Sequence, residues 1–544
     1  MMRNHLKYCL LIIILLVTQY AEAQDEQYAF FVNFKDKNAT TFSLSNPQAY
    51  LSQRALDRRT KYGINIDSTD LPAVQSYVDS ILHVTNGTLH LTSRWQNFAV
   101  ILIHDSSSIL NLLTIDFVKD VRIAGYYPTG LHLLPAPADS IPTGGKPTDY
   151  DENYYGQAWE QIHLCNGEYL HSKGWTGNNK LIAVIDAGFT GVDNNMAFDS
   201  MYQEGRLLDT HNFILDTSYV YDYSDHGSYV FSCMASLVPQ THVGTAPYAS
   251  YVLYVTDDEN TEQIIEEGNF VAAAERADSI GVDLITTSLG YNEFDNPDDS
   301  HVYADLDGHT TFVAKAANTA TQKGIIVVAS AGNEGQNEWE YILTPGDADS
   351  AMTIGSVNAS KVVASTSGHG PNAANRLKPD ECGMGVNAAV VSPAGVVINR
   401  SGTSYSTPII AGLTTCLMQA VPNMTPFQIR SLIASVSDSF NAQSYFVGNG
   451  VPDFKKALDA VTSLQDIPGK SNFFKTFPNP ANGYIMIEGS GNIRYSISDI
   501  QGRELQKGNT RSGKHIALGN LAKGVYLLKL SNDKYFQTTK LLIQ

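Results

Sequence analysis

The sequence predicts an α/β protein, in which a three-layer domain with a mainly parallel sheet is preceded by a small α+β domain and followed by a small all-β sandwich. Apolar strands and helical patterns alternate along the middle of the chain, which is typical of a parallel sheet with helices on both faces. The apolar runs there are continuous, as expected for strands that are buried on both sides. After about residue 472 the pattern changes to short strands separated by Gly and Asn turns.

Residues 1–23 have the pattern of a secretory signal peptide. A basic start with Arg3 and Lys7 precedes an apolar run over residues 10–17, and a small-residue cleavage signal (Ala-Glu-Ala) ends before Gln24. The run is too short to span a membrane, and no later segment is long and apolar enough to do so. The sequence therefore predicts export, with no transmembrane segment in the mature chain.

Length and composition limit the classes of function. The 544 residues are 43% hydrophobic and 17% charged, so the chain can form several domains with large cores. The formal net charge of -19 argues against nucleic acid as a partner. Beyond the signal peptide the cysteines are Cys165, Cys233, Cys382 and Cys416, and their irregular spacing fixes no disulfide pairing and predicts no zinc site.

Residues 24–125 are predicted to form the small α+β domain. Its expected elements are strands at 28–34, 98–103 and 118–123 and a helix over 47–61. Prolines and glycines then cluster within residues 126–155, which is typical of an exposed linker.

Residues 156–465 are predicted to form the three-layer domain. The expected strands are 181–186, 248–256, 282–288 and 325–330, and the expected helices are 262–280, 311–323, 407–420 and one that begins at Thr425 and Pro426. Ligands in such folds bind at the carboxyl ends of the strands. Asp186 and Asn333 fall at or just past strand ends, which predicts a site at that edge of the sheet.

Four short motifs supply side chains for one kind of chemistry. They are Asp186 in VIDAG, His226 in HGS, Asn333 in AGN and Ser404 in GTSYSTP. A serine is a weak nucleophile that needs a neighbouring base and a group that stabilises an oxyanion. Each residue alone has an ordinary explanation, as a strand-end carboxylate, a helix N-terminal residue, a turn residue or a helix cap. A single site explains all four together.

These motifs, in the order Asp, His, Asn, Ser, resemble those of the subtilisin-like serine peptidase family over roughly residues 155–465. The resemblance implies a subtilisin-like fold, with Ser404 as nucleophile, His226 as base, Asp186 as its orienting carboxylate and Asn333 as oxyanion donor. The family most often has Met-Ala after the nucleophile, where this chain has Tyr405 and Ser406. This departure removes no catalytic atom and bears on rate or specificity.

The same resemblance implies substrate-binding segments beside the site, namely Ser288, Leu289, Gly290, Ala331 and Gly332. Small residues there let a peptide approach and add as a strand, although tight strand-to-loop turns explain them equally well. No cofactor or metal is expected in the chemistry. A structural calcium ion stays open and unassigned, because the acidic pairs at 257–258 and 298–299 are explained as well by surface solvation.

The two flanking domains have their own resemblances. Residues 24–125 lie where subtilisin-like enzymes carry an inhibitory propeptide, and an accessory domain is the alternative. Residues 472–544, with FPNP, SDIQGR and GVYLLK, resemble the C-terminal sorting domain of the type IX secretion system, and a β-sandwich binding module is the alternative. The sorting resemblance implies the type IX machinery as a partner, and export through the periplasm and outer membrane of a Bacteroidota-type bacterium to the cell surface or medium.

The sequence thus predicts a secreted serine endopeptidase that cuts protein or peptide substrates through an acyl-enzyme and is made as a self-processed zymogen. A catalytically silent surface binding protein with a subtilisin-like fold is the alternative. An esterase of the α/β-hydrolase type is disfavoured, because it needs a glycine at position 406 and a histidine after the nucleophile.

Overall fold

The computed structural model describes residues 27–127, 149–462, 474–489, 491–498, 504–519, 521–532 and 536–543. The predicted signal peptide and most of the predicted linker lie outside the described residues. Two compact units divide the chain, Met1–Val461 and Thr462–Gln544.

The predicted strands and helices are present in the predicted order, together with elements that were not predicted. The strands are β1 (Gln27–Phe34), β2 (Thr88–Ser93), β3 (Phe98–Ile103), β4 (Val118–Tyr127), β5 (Leu181–Asp186), β6 (Leu207–Asn212), β7 (Leu237–Val238), β8 (His242–Val243), β9 (Ser250–Val255), β10 (Leu284–Thr287), β11 (Ile326–Ser330), β12 (Met352–Val357), β13 (Glu381–Met384), β14 (Ala388–Val391), β15 (Val397–Arg400), β16 (Lys475–Phe477), β17 (Tyr484–Glu488), β18 (Asn492–Ser498), β19 (Glu504–Arg511), β20 (His515–Ala517), β21 (Gly524–Ser531) and β22 (Phe536–Ile543). The α-helices are α1 (Gln53–Tyr62), α2 (Gln75–Thr85), α3 (Ile109–Leu112), α4 (Glu152–Tyr155), α5 (Trp159–His163), α6 (Gly167–Ser172), α7 (Asp199–Gln203), α8 (His226–Ala235), α9 (Ile265–Ile280), α10 (Phe312–Gln322), α11 (Thr403–Ala420), α12 (Pro426–Val436) and α13 (Phe454–Thr462).

The central sheet has the strand order β13-β12-β11-β10-β5-β9-β6, and its neighbouring strands are parallel. Every residue of β5 is buried. Ile182 and Val184 pack with residues of α8 and α11 in one core, whereas Ala183 and Ile185 pack with residues of α9 and α10 in another. Because successive side chains of a strand point to opposite faces, one strand joins both cores, and the three-layer prediction is confirmed.

The N-terminal domain forms an antiparallel sheet of order β2-β3-β1-β4. One face packs on its own helix α2 through Val78 and Ile81. The other face joins the core under α9 and α10, where the ring of Phe31 stacks on that of Phe312 with centroids 4.9 Å apart. The N-terminal domain therefore shares a core with the three-layer domain.

An ionic cluster also joins these two domains. Asp278 on α9 is fully buried, and its carboxylate accepts hydrogen bonds from three arginines of the N-terminal domain. They are Arg58, Arg59 (3.0 Å to each carboxylate oxygen) and Arg94 (2.7 Å). Asp278 thus has a guanidinium partner for each of its oxygens, which offsets the cost of burying its charge.

The C-terminal unit consists of two antiparallel sheets, of order β16-β17-β20 and β19-β18-β21-β22. Alternate residues of these strands, such as Ile485, Ile497 and Leu528, form its core. The prediction of a small all-β sandwich is confirmed.

Several predicted bounds need correction. Helix α11 begins at Thr403 and not at 407, because the polar residues before Thr407 lack the apolar period that marked the rest. The N-terminal domain also contains α2 and β2, which were not predicted, and β4 continues to Tyr127. The four described cysteines are free thiols and are buried. In the described ranges, no helix combines the length and apolar character needed to cross a bilayer.

Candidate active site

Asp186 is the last residue of β5, and its side chain is fully buried. Its Oδ1 lies 2.6 Å from Nδ1 of His226 and accepts the main-chain N–H of Ala187 at 2.9 Å. Its Oδ2 has no hydrogen-bond partner among the described residues. Because a carboxylate can only accept, Nδ1 of His226 carries the proton, and Nε2 of the neutral ring is left as an acceptor.

His226 is the first residue of α8, and its side chain is 26% exposed. Its main-chain N–H donates to Oγ of Ser224 at 3.0 Å, which fixes the start of the helix. Burial alone would lower the pKa of the imidazole. The charge and hydrogen bond of Asp186, with the charges of Glu259 and Asp225, outweigh burial, so the pKa of His226 is raised above its ordinary value.

The glycine of the HGS motif allows α8 to approach β5. A Cβ on Gly227 would lie 2.3 Å from the carbonyl oxygen of Gly188 and 3.0 Å from Cβ of Asp186. Any side chain there would push the helix away from the strand. The motif therefore positions His226 against Asp186 by close backbone packing.

Ser404 lies in the first turn of α11 and is 7% exposed. Its carbonyl oxygen accepts a hydrogen bond from Oγ of Ser288 at 2.8 Å. The next residue, Tyr405, places its ring centroid 6.3 Å from that of His226. Among the hydrogen bonds of the described residues there is none between Ser404 Oγ and His226, and such bonds are often long without substrate.

Asn333 follows β11 and is tied to the start of α11. Its Oδ1 accepts the main-chain N–H of Thr403 at 2.9 Å, and Oγ1 of Thr403 lies 3.2 Å away. A Cβ on Gly402 would lie 3.7 Å from Nδ2 of Asn333 and 3.8 Å from the main-chain N of Ser404. The amide oxygen is thus engaged by the helix, while Nδ2 and the Ser404 N–H border the same small space.

Tyr405 fills the position where the family commonly has Met. Its side chain is 6% exposed and packs with Tyr229, Cys233 and Ile409. The ring of Tyr229 in turn carries the guanidinium of Arg400 at 4.6 Å from its centroid. The larger aromatic residue is therefore accommodated by an aromatic cluster behind His226.

The predicted substrate-binding residues fall into two groups. Ser288 and Ala331 are built into the fold, since Ser288 Oγ bonds α11 and Ala331 exchanges main-chain hydrogen bonds with Leu343 and Ile354. Gly290 and Gly332 flank Leu343 instead. A Cβ would lie 2.8 Å from the Leu343 side chain if placed on Gly290, and 2.7 Å from it if placed on Gly332. The lack of a side chain at both glycines therefore lets Leu343 pack close to both segments.

The remaining predicted residue, Leu289, is only partly buried and lies at the end of β10. Its N–H donates to Oγ1 of Thr287 at 3.3 Å and is therefore already engaged within the protein. Its carbonyl oxygen accepts from Oγ of Ser330 at 3.3 Å. The Leu289 side chain is partly buried and packs against the core that contains residues of α9 and α10.

Comparison with protein-family models decides the classification. The model described as "Subtilase family" matches residues 177–450, which is half of the chain and contains all four motifs. This chain belongs to the subtilase family. The subtilase also matches "Peptidase S8 propeptide domain, Bacteroidota" over residues 29–130 and "Secretion system C-terminal sorting domain" over residues 475–544.

Curated relatives agree with this classification, and solved structures agree with it in fold. The subtilase is 29% identical to Subtilisin E of Bacillus subtilis (strain 168) over 292 residues, 53% of this chain and 68% of that protein. It is 25% identical to Serine protease AprX of the same organism over 339 residues, 56% of this chain and 69% of that one. It is similar in fold to fervidolysin from Fervidobacterium pennivorans, described as a keratinolytic enzyme related to subtilisin (TM-score 0.55, 16% identity, 94% of this chain and 71% of that one). The epidermin leader peptide processing serine protease of Staphylococcus aureus gives a TM-score of 0.53 at 16% identity, covering 82% of this chain and 100% of that one.

Each acidic pair considered for calcium has a member whose carboxylate accepts a hydrogen bond from within the protein. Asp257 accepts Oγ1 of Thr256, and burial raises the pKa of Asp257 to about 7. The carboxylate of Asp299 accepts a hydrogen bond from Nη2 of Arg122 at 2.8 Å. Within the described ranges, no cluster of three or more His, Cys, Asp or Glu side chains is arranged to hold a metal ion.

Two residues near the site were missed by the sequence analysis. The carboxylate of Glu259 accepts a hydrogen bond from Oγ of Ser224, and Ser224 in turn fixes the N-terminus of α8. The main-chain N–H of Thr403 donates to the amide oxygen of Asn333. Thr403 lies in the nucleophile motif, so its position next to Ser404 was a usable signal. Glu259 lies in a loop whose spacing gives no sign of its contact with Ser224.

Proposed function

We propose that this subtilase is a serine endopeptidase that hydrolyses peptide bonds through an acyl-enzyme on Ser404. The hydrogen bond between the buried carboxylate of Asp186 and Nδ1 of His226 supports this proposal most strongly. It sets the tautomer in which Nε2 can take a proton, and it raises the pKa of the imidazole toward the range needed by a general base.

In the proposed reaction, His226 removes the proton of Ser404 Oγ as that oxygen attacks the substrate carbonyl carbon. The carbonyl oxygen gains negative charge and is stabilised by Nδ2 of Asn333 and the main-chain N–H of Ser404. The C–N bond then breaks, and His226 gives the proton to the leaving amine. Water repeats the sequence on the acyl-enzyme, which releases the acid and restores Ser404.

The domain boundaries follow from the same proposal. Residues 1–23 are a signal peptide, 24–125 a propeptide that covers the enzyme, and 126–155 the linker in which self-processing occurs. Residues 156–465 are the peptidase, and its protein or peptide substrates lie outside the cell. Residues 472–544 address the chain to the type IX machinery, and the all-β core of the C-terminal unit supports its independent folding.

Intact mass and casein hydrolysis of the secreted wild type and the Ser404→Ala variant test this function. We expect the wild type to lose its N-terminal domain and to cut casein, while the variant stays unprocessed and inert. Ser406→Ala is the matched control, because Ser406 lies on the same helix and its Oγ donates only to the carbonyl oxygen of Thr403. Equal hydrolysis by wild type and Ser404→Ala would reject Ser404 as nucleophile, and equal mass of the two proteins with no hydrolysis by either would favour a silent binding protein.

A further inference from the structure

Gln263 binds the main chain of the strand that ends the N-terminal domain. Its Oε1 accepts the N–H of Tyr126 at 2.5 Å, and its Nε2 donates to the carbonyl oxygen of the same residue at 3.0 Å. A side-chain amide has the donor and acceptor of a peptide group, so Gln263 acts here as a one-residue strand partner. Such a pair of bonds recognises extended backbone and needs no particular side chain at Tyr126.

The residue before Tyr126 is a glycine for a steric reason. A Cβ on Gly125 would lie 2.1 Å from Oε1 of Gln263 and 3.0 Å from its Cδ. Gly125 also has φ +145°, a conformation that other residues rarely adopt. The contact of Gln263 with the main chain therefore requires glycine at this one position.

A groove surrounds this contact on the three-layer domain. It has a volume of about 510 Å³, and its walls from that domain include Thr261, Gln263, Ile264, Phe294 and Pro297. The walls from the N-terminal domain belong to the end of β4. The three-layer domain also contributes Asp295, Asn296 and Asp299, so its side of the groove combines apolar walls with polar and acidic side chains.

The loop that carries Gln263 also borders the candidate catalytic pair. It begins at Thr256, whose N–H donates to the carbonyl oxygen of Asp186 at 3.2 Å. Farther along the loop, Glu259 accepts a hydrogen bond from Oγ of Ser224. The same Oγ accepts the main-chain N–H of His226. Gln263 is thus placed by the same loop that fixes Asp186 and His226.

We propose that Gln263 is a specificity-determining residue that binds the main chain of extended peptide substrates and selects glycine at the residue before the one it binds. This inference rests on the proposed function. The N-terminal domain holds the place of such a substrate through Gly125 and Tyr126. Release of that domain frees the carboxamide for peptides with the same small residue.

The first test is independent of catalysis, because it uses the full chain with Ser404→Ala. Hydrogen exchange of residues 118–127 is compared with and without Gln263→Ala. We expect the Tyr126 amide to exchange about tenfold faster in Gln263→Ala, since that amide loses its acceptor. Gln96→Ala is the control, because Gln96 makes a similar carboxamide bond to the carbonyl oxygen of Phe312. Unchanged exchange at Tyr126 would overturn the assigned contact.

The second test uses the processed enzyme on a peptide mixture derived from a bacterial proteome, with mass-spectrometric analysis of the products. We expect glycine to be enriched at one fixed position on the N-terminal side of the cut bond. In Gln263→Ala this enrichment should disappear while cutting continues, whereas the neighbouring Glu262→Ala should keep it. Cutting without glycine enrichment in the wild type overturns the specificity proposal alone. Absence of cutting by every variant overturns the proposed function, and the specificity proposal with it.

Discussion

Oγ of Ser288 donates a hydrogen bond of 2.8 Å to the carbonyl oxygen of Ser404. That carbonyl would normally accept the N–H of the residue four positions later in the helix, which is Pro408 and has no N–H. Ser288 therefore supplies the missing donor at a buried site. The bond joins the end of β10 to the helix turn that carries the proposed nucleophile.

We expect Ser288→Ala to destabilise the protein, because it leaves a buried carbonyl without a partner. A loss of about 1 to 3 kcal/mol in the free energy of unfolding is typical of such a group. Differential scanning calorimetry in the Ser404→Ala background would show this as a lower Tm. Ser406→Ala serves as the control, since its Oγ donates to a carbonyl that has the helical N–H of Thr407 available. Equal Tm values for the two variants would contradict the role of Ser288.

The pH dependence of hydrolysis should follow the ionisation of His226. Its pKa is raised, mainly because Asp186 stabilises the imidazolium against the effect of burial. The neutral ring is the base, so kcat/KM should increase with pH and reach half its maximum above about 6.5, the ordinary pKa of histidine. A kcat/KM profile on a peptide substrate measures this limb.

Asp186→Asn should lower kcat by about ten-thousand-fold, because an amide can stabilise the wrong tautomer of the ring and no longer supports its charge. The remaining activity should have its acidic limb at lower pH, since the main influence that raises the pKa is gone. Glu259→Gln should shift the limb in the same direction by less and keep most of the rate. If the acidic limb lies at the same pH in Asp186→Asn as in the wild type, the limb reports the ionisation of a group other than His226.

Asn333→Ala should lower kcat by about a hundred- to a thousand-fold with little change in KM, because the proposed oxyanion donor acts in the transition state. Thr403→Ala should lower kcat by a smaller factor. That variant removes the Oγ1 contact with Asn333, whereas the main-chain N–H of Thr403 still holds the amide oxygen. Steady-state measurements of kcat and KM on one substrate compare the two variants. A loss expressed only in KM would place Asn333 in ground-state binding.

Local patterns predicted the parts of the site that depend on local structure. Asp186 ends a continuous apolar strand and His226 opens a helix, and both features are visible within a few residues of sequence. The start of α11 was placed too late, because hydrophobic periodicity begins only after Ser404. What holds this turn is the contact with Ser288, which is 116 residues away in the chain.

The interface of the N-terminal domain could not be predicted for the same reason. Arg58 and Arg59 are indistinguishable in sequence from exposed helix residues, and no pattern joins them to Asp278. The Arg58 and Asp278 side chains are 220 residues apart in the chain and meet only in the folded zymogen. The contact of Gln263 with the strand that contains Gly125 likewise forms only in the folded chain, so no local pattern predicts it.

Asp278→Ala should weaken the attachment of the N-terminal domain strongly. The change leaves Arg58, Arg59 and Arg94 buried with fewer anionic partners, and breaking such buried pairs costs about 3 to 5 kcal/mol. Calorimetry and limited proteolysis of the Ser404→Ala chain should show a lower Tm and faster cleavage within residues 27–127. Lys455→Ala is the control, because its pair with Asp459 is exposed and contributes little.

We expect the ionisation of Asp278 to affect this attachment only at low pH. Burial opposes ionisation of Asp278, but the three guanidinium groups outweigh it and lower its pKa. Its stabilisation is therefore complete above about 3.9, the ordinary pKa of aspartate in the unfolded chain, and is lost only as pH falls further toward the lower folded value. Acid release of the N-terminal domain from Ser404→Ala at mildly acidic pH would show that groups other than Asp278 control the attachment.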